Sequence, residues 1–217
     1  MTALYERYRP SNMEEVVGQP ATVRRLLFLR QREGWLGQVF LFAGPSGTGK
    51  TTMGRIIAAD VADEFSTWEI DAQDLTVEML RAWERGCSFR TLGGRGYAFI
   101  VNEFHNARGP IVSRLQTVLE DRHVQKNSTW VFTTTEIGQR RLFDSKVDAA
   151  AMLSRCMCFE LADEAENLVQ YAKYVQAVAR QEELDGKPLE AYITLLDECN
   201  LNVRQALQHV ASGGMME

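Results

Sequence analysis

The chain has 217 residues, of which 45% are hydrophobic, and its formal net charge is -5 at pH 7. This length suits one large domain or a domain with a small appendage, and the apolar content suffices for a buried core, so disorder is excluded as the default. The negative balance excludes a global positive field, so any contact with nucleic acid has to come from a local basic face.

Short apolar runs rich in β-branched and aromatic residues alternate with helical patterns over the first 161 residues. Such alternation predicts a parallel sheet covered by helices on both faces. The predicted strands are 39–43, 67–71, 97–101, 129–134 and 157–161. The predicted helices are 21–33, 51–61, 75–86 and 110–121.

After Leu161 the pattern changes to helices only. The first is predicted to open with Asp163 as its cap, the second to cover 188–198, and the third to begin after Asn202. We therefore expect an α/β domain over 1–161 and a small helical domain over 162–217.

The stretch Gly44–Thr52 is the most informative part of the chain. It fits G-x-x-x-x-G-K-[ST] and follows the apolar run Val39–Ala43, so a strand, a glycine loop and a helix start stand in the required order. In such a loop the backbone N–H groups converge on the β-phosphate, Lys50 neutralises the β- and γ-phosphates, and the Thr51 hydroxyl reaches Mg²⁺. We expect a nucleoside triphosphate and Mg²⁺ to bind here. The residues concerned are Gly44, Pro45, Ser46, Gly47, Thr48, Gly49, Lys50, Thr51 and Thr52.

Polar residues follow the next predicted strands. Asn102 and Glu103 stand at a strand end, where a nucleotide-binding sheet delivers its acidic pair to the phosphates. A carboxylate beside the γ-phosphate can orient the attacking water or take its proton, so we expect this role for Glu103. Thr135 closes the next strand, although threonine is also simply a good strand former. Arg155 and Arg204 are candidates for phosphate contacts, with solvated surface arginines as the alternative.

The cysteines and histidines argue against a zinc site. The four cysteines include no C-x-x-C pair, and the three histidines have no ligand-like spacing to them. The N-terminal segment is charged and lacks an apolar core, and no apolar run of transmembrane length follows. We expect a soluble cytoplasmic protein with reduced thiols.

Taken in this order, the motifs resemble those of the AAA+ sliding-clamp loader subunits, namely the small subunits of replication factor C and the gamma/tau subunit of bacterial DNA polymerase III. The resemblance covers nearly the whole chain. The matching parts are Tyr8-Arg9-Pro10, Val16-Val17-Gly18-Gln19, the phosphate loop, Asn102-Glu103-Phe104-His105, Thr135, Ser154-Arg155-Cys156 and Asn202 to Leu207.

The resemblance implies an AAA+ fold, with a P-loop ATPase domain on a five-stranded parallel sheet over 1–161 and a helical lid over 162–217. It implies ATP as the nucleotide, with Mg²⁺ held by Thr51 and Asn102. It also implies that the adenine is bordered by Tyr8, Arg9, Pro10 and Val17.

The same resemblance assigns Thr135 as the first sensor of the γ-phosphate and Arg204 as the second. Arg155 then acts in trans, as an arginine finger that completes a neighbour's site; such fingers raise the rate by about 10³ to 10⁵. Hydrolysis therefore requires an oligomer, homomeric or heteromeric. The implied function is ATP hydrolysis by a clamp-loader-like assembly that grips primer-template DNA and a sliding clamp in DNA replication.

The sequence departs from the family at Asn102, where an aspartate usually helps hold Mg²⁺. Two unit charges about 4 Å apart at an effective dielectric near 20 interact by about 4 kcal/mol, so losing the charge weakens metal binding. ATP binding is expected to survive, because Thr51 and the phosphates still hold the metal. The chain also stops at Glu217, directly after the lid, so we expect assembly to rest on the ATPase domains without a C-terminal collar.

Two alternatives stay open. Asn102 and the missing collar favour a slow or non-hydrolysing ATP-bound scaffold, in which Asn102→Asp would raise hydrolysis sharply. The other alternative is a different DNA remodeller, such as a helicase loader or branch-migration motor. The residues that would supply a local basic face for DNA, with solvated surface arginines as the alternative, are Arg90, Arg95, Arg108 and Arg114.

Overall fold

The computed structural model describes residues 2–89, 91, 93, 95–136, 151–161 and 167–216. The chain divides into two compact units, which we call the sheet unit and the helical unit. The sheet unit comprises Arg25–Gly44 and Lys50–Glu160. The helical unit comprises Met1–Arg24, Pro45–Gly49 and Leu161–Glu217. The domain boundary that the sequence places at residue 162 stays a prediction.

Five parallel strands form the sheet, in the order β2-β3-β4-β1-β5. They are β1 (Val39–Ala43), β2 (Ala62–Asp71), β3 (Gly96–Asn102), β4 (Ser128–Thr134) and β5 (Met157–Glu160). The predicted five-stranded parallel sheet is confirmed. β2 starts at Ala62, five residues before the predicted start. The prediction missed these residues because they show no strand-like alternation, and their pairing with β3 is irregular up to Thr67.

The α-helices whose bounds both lie within the described residues are α1 (Leu4–Arg7), α2 (Pro20–Arg32), α3 (Lys50–Val61), α4 (Val77–Cys87), α5 (Gly109–Glu120), α6 (Arg122–Asn127), α7 (Leu168–Gln181), α8 (Leu189–Glu198) and α9 (Val203–Ala211), and two 3-10 helices cover Met13–Glu15 and Phe104–Asn106. None of them is long and apolar enough to cross a membrane. α1 and α6 were not predicted, because four or six residues are too few to show helical periodicity. The cap predicted at Asp163 lies outside the described residues.

Helices cover both faces of the sheet, as predicted. On one face, Phe99 of β3 packs between Trp83 of α4 and Trp130 of β4, with ring centroids 4.7 and 4.4 Å apart. On the other face, α3 lies so close that a Cβ added to Gly54 would be 2.9 Å from Val131 Cγ1. Side chains of successive strand residues point to opposite faces, so continuous apolar runs bury both.

The helical unit has a core of its own. Residues of α7, α8 and α9 bury Tyr171, Tyr192 and Leu207 together with Leu4 of α1. Asn202 caps α9 by accepting a hydrogen bond from the Gln205 backbone N–H at 3.2 Å, which confirms the predicted start of this helix. The N-terminal segment thus packs against the C-terminal helices. The local sequence pattern does not predict this long-range contact.

Gly18 is predicted to be intolerant of a side chain. Its φ is +79°, and a Cβ at this position would overlap the ring of Tyr171. A left-handed conformation costs an ordinary residue about 1–2 kcal/mol, and overpacking adds about 1–3 kcal/mol. We expect Gly18→Ala to lower the free energy of unfolding by about 2 kcal/mol or more, measured by denaturant titration.

Gly34→Ala is the matched control for this substitution. Gly34 has a similar φ of +75°, but a Cβ there meets none of the described atoms within 4 Å. It therefore carries only the backbone cost. Equal losses of stability in the two variants would contradict the role assigned to the Tyr171 ring.

Candidate nucleotide-binding site

The carboxyl ends of β1, β3 and β4 meet at one edge of the sheet, because these strands are parallel neighbours. Ala43 is in register with Thr134, and the Gly44 N–H donates to the Thr134 carbonyl at 3.1 Å. This edge is where sequence analysis expected the phosphates. The polar side chains that follow these strands or open α3 are Lys50, Thr51, Asn102, Glu103, Thr133, Thr134 and Thr135.

Lys50 is the first residue of α3, a helix of 12 residues. The residue is only 7% exposed, and its Nζ donates to the Gly44 carbonyl oxygen at 2.7 Å. A helix N-terminus favours anions, and a buried ammonium group reinforces this preference. The arrangement fits a phosphate group beside the first glycine of the motif.

The glycine loop adopts conformations that ordinary residues rarely take. Gly47 and Gly49 have φ values of +87° and +97°. A Cβ at Gly47 would overlap the side chain of Asn202, whereas one at Gly49 meets none of the described atoms within 4 Å. The Thr48 hydroxyl donates to the Pro45 carbonyl at 2.8 Å and closes the turn. The motif's glycines are therefore required by the shape of the backbone.

The two predicted metal ligands are in direct contact. The Oδ1 atom of Asn102 accepts hydrogen bonds from the hydroxyls of Thr51 at 3.1 Å and Thr133 at 3.0 Å. Hydroxyl and amide oxygens are hard donors that suit Mg²⁺, which is commonly bound through a few protein oxygens together with substrate phosphates. Both ligand oxygens are neutral. They therefore suit an Mg²⁺ ion whose positive charge is balanced by the phosphates of the nucleotide.

Glu103 has a left-handed backbone, with φ 50° and ψ 49°. Such strain costs about 1–3 kcal/mol and clusters at active sites. The Thr135 hydroxyl donates to Glu103 Oε2 at 3.4 Å. His105 Nδ1 lies 3.6 Å from the same oxygen and 3.1 Å from the Thr134 hydroxyl. The Glu103 side chain is 42% exposed and so can reach water.

Arg155 is engaged within its own chain. Its guanidinium donates to the carboxylate of Glu120, at the end of α5, and to the Ala151 carbonyl. Its Nε is buried and has no hydrogen-bond partner among the described residues. Burial raises the pKa of the neighbouring Cys156 thiol to about 12, so this cysteine stays neutral and is not a nucleophile near pH 7.

The remaining predicted site residues lie in the helical unit. The Arg204 guanidinium is 5.5 Å from the centre of the Tyr5 ring, a cation–π contact. Tyr8 and Val17 pack, partly buried, against the core of this unit. The structure thus brings the predicted adenine-side residues to the helices that include the second-sensor candidate, while their roles stay predictions.

Tyr8 is fixed from two sides. Its hydroxyl donates to Glu182, which raises the pKa of the phenol and lowers the pKa of the carboxyl, and the Tyr174 hydroxyl donates to its carbonyl. Arg9 forms an ion pair with Glu6, and Pro10 is partly buried. These contacts order the segment without showing what it binds.

Sequence reasoning missed three residues around Asn102. Thr133 lies within the predicted strand 129–134 and was given no role in the site, although its hydroxyl donates to Asn102 Oδ1. Glu69 of β2 accepts from Asn102 Nδ2 at 3.0 Å and pairs with Arg55 of α3 at 2.7 Å. An acidic residue within a predicted strand was the available signal. Its partner depends on the order of strands, which periodicity does not reveal.

Comparisons with known proteins agree with this geometry. Residues 39–143 match the AAA domain family, dynein-related subfamily. The replication factor C small subunit of Halobacterium salinarum is 27% identical over 96% of this chain and 63% of its own length. The DNA polymerase III subunit gamma/tau of Mycoplasma pneumoniae is 25% identical over 77% of this chain and 26% of its own length.

Two solved structures of Thermotoga maritima RuvB, one described as a Holliday junction branch migration motor, have TM-scores of 0.70 and 0.67. Both are 21% identical and cover 94% of this chain and 64% of their own.

Fold and matches together show a P-loop AAA+ fold. Within that class, the chain is similar to the clamp-loader subunits of replication factor C and DNA polymerase III, which confirms the resemblance seen in the sequence. The chain spans less than two thirds of the length of the relatives described above. Their activities and partners therefore reach this chain only as proposals.

Proposed function

We propose that the chain binds Mg·ATP through Gly44–Thr52 and hydrolyses it as one subunit of an AAA+ oligomer. The observation that carries the proposal is the contact between Thr51 and Asn102, at the sheet edge where buried Lys50 opens α3. Mg²⁺, when bound, supplies positive charge that offsets the charge on the phosphates.

Each site residue has a role in ATP binding or hydrolysis that follows from its chemistry. Lys50 and the α3 N-terminus neutralise the phosphates, and Thr51 and Asn102 would hold Mg²⁺. Glu103 orients the attacking water, and Thr135, which donates to Glu103, holds the carboxylate and senses the γ-phosphate. We assign the second sensor to Arg204 and the adenine contacts to Tyr8, Arg9, Pro10 and Val17.

We further propose that the assembly is clamp-loader-like and acts in DNA replication with primer-template DNA and a sliding clamp. The match to a replication factor C small subunit over 96% of this chain supports this assignment. The test is ATP turnover with and without primed DNA and clamp, with single-stranded and junction DNA as comparisons. A rate that none of them changes would contradict the clamp-loader assignment.

Two of the four arginines expected to contact DNA have partners within the chain. Arg114 pairs with Glu84 of α4, and Arg95 donates to Asp63 and to carbonyls at the end of α3. Arg108 is exposed at the N-cap of α5, whereas Arg90 lies outside the described residues. Of the three described arginines, Arg108 is therefore the strongest candidate for a phosphate contact.

The neutral Asn102 favours one alternative, an ATP-bound scaffold with slow or no turnover. Its oxygen still faces Thr51, so ATP and Mg²⁺ binding would be retained. Single-turnover measurements separate the two functions. A chain that binds ATP but fails to hydrolyse it in the presence of partners and DNA is a scaffold.

The proposed trans role of Arg155 predicts complementation between two inactive variants. Lys50→Ala removes a site's own lysine, and Arg155→Ala removes the finger given to a neighbour. An arginine finger is worth about 10³ to 10⁵ in rate, so each variant alone should lose most turnover. In a homo-oligomer, mixing the two variants should restore part of the ATP turnover, because some interfaces combine an intact Lys50 with an intact Arg155.

Native mass spectrometry with a non-hydrolysable ATP analogue reports whether the mixed oligomers form. Mixing wild type with the exposed-lysine variant Lys126→Ala is the control for subunit exchange. Mixed oligomers without any recovered turnover, or full activity of Arg155→Ala alone, would contradict the role in trans.

A further inference from the structure

We propose that Glu69 is a positioning residue for the metal side of the site, holding the amide of Asn102 so that its oxygen faces Thr51. The inference rests on the nucleotide-binding function proposed above. It assigns a role to a side chain on β2, the strand beside β3 at the edge of the sheet.

The register of the sheet explains the contact. Glu69 is paired with Ile100, and Asn102 follows two residues further along β3 on the same face. Glu69 therefore reaches Asn102 diagonally across the strands, and Asn102 Nδ2 donates to Glu69 Oε1 at 3.0 Å.

The partners determine which end of the amide faces which neighbour. A carboxylate only accepts hydrogen bonds, so the nitrogen of Asn102 faces Glu69. The oxygen then faces the hydroxyls of Thr51 and Thr133, 3.1 and 3.0 Å away. In the reverse orientation, two oxygens would meet at Glu69 and an amide nitrogen would face Thr51. Glu69 thereby selects the orientation that offers a metal ligand.

Arg55 holds Glu69 in place. Its Nε donates to Glu69 Oε2 at 2.7 Å and its terminal nitrogen donates to Oε1 at 3.0 Å, a two-pronged pairing that fixes the carboxylate plane. Thr51 and Arg55 are four residues apart on α3, so they lie on the same side of the helix. One helix therefore contacts Asn102 directly through Thr51 and indirectly through Arg55 and Glu69.

This arrangement makes asparagine the compatible side chain at position 102. An aspartate there would place a second carboxylate within hydrogen-bonding distance of Glu69, and such pairs repel unless one takes up a proton. The structure therefore changes the expected result of Asn102→Asp. The added charge should help metal binding only when Glu69 is neutralised as well.

The contact itself is tested in the nucleotide-free chain. At pH 8, we expect Asn102→Asp to lower the melting temperature by about 3 °C or more. On a Glu69→Gln background, Asn102→Asp should lower the melting temperature by less than half of that amount. Glu64→Gln, at an exposed residue of the same strand, is the matched control background. On this background Asn102→Asp should lower the melting temperature as much as it does in the wild type.

The metal role is tested by Mn²⁺ affinity in the presence of a non-hydrolysable ATP analogue, followed by electron paramagnetic resonance. Outer partners of metal ligands typically change affinity by about 10–100-fold, so Glu69→Ala should weaken Mn²⁺ binding by about tenfold. Glu69→Gln keeps an acceptor for the Asn102 amide and should retain most of the affinity. Asn102→Asp combined with Glu69→Gln should bind Mn²⁺ about tenfold more tightly than Asn102→Asp alone.

The outcomes are separable. Equal effects of Asn102→Asp on both backgrounds, in melting temperature and in Mn²⁺ affinity, would overturn the positioning role. Stability coupling without any binding of the ATP analogue, in wild type and all variants, would instead overturn the proposed function and the metal role with it. A third outcome is that Glu69→Gln reduces the effect of Asn102→Asp on the melting temperature while Glu69→Ala leaves the Mn²⁺ affinity unchanged. Glu69 would then be a structural contact only, and the inference would be overturned.

Discussion

Replacing Lys50 by alanine should remove most of the affinity for the nucleotide. Lys50 is buried at the first turn of α3, and its ammonium lies beside the loop glycine Gly44. Removing one partner of a buried, hydrogen-bonded charge pair costs about 2–5 kcal/mol, so ATP affinity should fall at least about 30-fold. Equilibrium titration with a fluorescent ATP analogue measures this loss.

Nucleotide-induced stabilisation gives a second readout of the same substitution. A ligand at 100 times its Kd stabilises a protein by about 2.7 kcal/mol, which raises the melting temperature of a chain of this size by about 5–10 °C. Lys50→Ala should lose most of this shift while it keeps a cooperative transition without nucleotide. Lys126→Ala, on an exposed helical lysine, should keep both. An unchanged shift in Lys50→Ala would contradict the phosphate role.

The sheet and its polar edge were predictable because local patterns carry them. A parallel strand buried on both faces shows a continuous apolar run, and the central strands β1, β3 and β4 were found where such runs occur, whereas the edge strand β2 is largely exposed and was predicted only in part. The ends of β3 and β4 followed directly from these runs. The metal site at Thr51 and Asn102 was instead implied by the resemblance to the AAA+ family, and the structure places these two side chains in hydrogen-bond contact.

What escaped prediction depends on contacts between residues far apart in the chain. Glu69 stands within a predicted strand, but only the order of the strands brings it to Asn102. Likewise, nothing in the sequence pairs Glu120 with Arg155, although the fold brings these two residues, 35 positions apart, into contact. A side chain's partner follows from topology, whereas its own strand or helix follows from neighbouring residues.

The contact between Arg155 and Glu120 bears on how a trans-acting arginine would work. Both terminal nitrogens of the Arg155 guanidinium donate within the same chain, to Glu120 and to the Ala151 carbonyl, so a two-pronged contact with a neighbour's phosphate competes with these bonds. Assembly would therefore have to exchange Glu120 for phosphate oxygens, both of which accept charge-assisted hydrogen bonds. The pair is partly exposed, so it is worth about 0–1 kcal/mol and presents a small obstacle.

Glu103→Gln should separate binding from hydrolysis. Glutamine keeps the shape of the side chain and an oxygen that accepts from Thr135, so ATP affinity should change by less than about twofold, well below the 0.5–1.5 kcal/mol of a lost hydrogen bond. It cannot take up a proton from water, and loss of a general base costs about 10²–10⁴ in rate. Turnover should fall by that factor in a steady-state phosphate-release assay.

Glu78→Gln, on the exposed side of α4, is the matched control and should leave both quantities unchanged. The comparison also decides between the two proposed functions. In an ATPase, the fall between wild type and Glu103→Gln is large, whereas in an ATP-bound scaffold both proteins bind ATP and both turn it over at the same negligible rate. A wild type with substantial turnover that Glu103→Gln leaves intact would show that Glu103 is not the general base, and that its strained backbone serves another purpose.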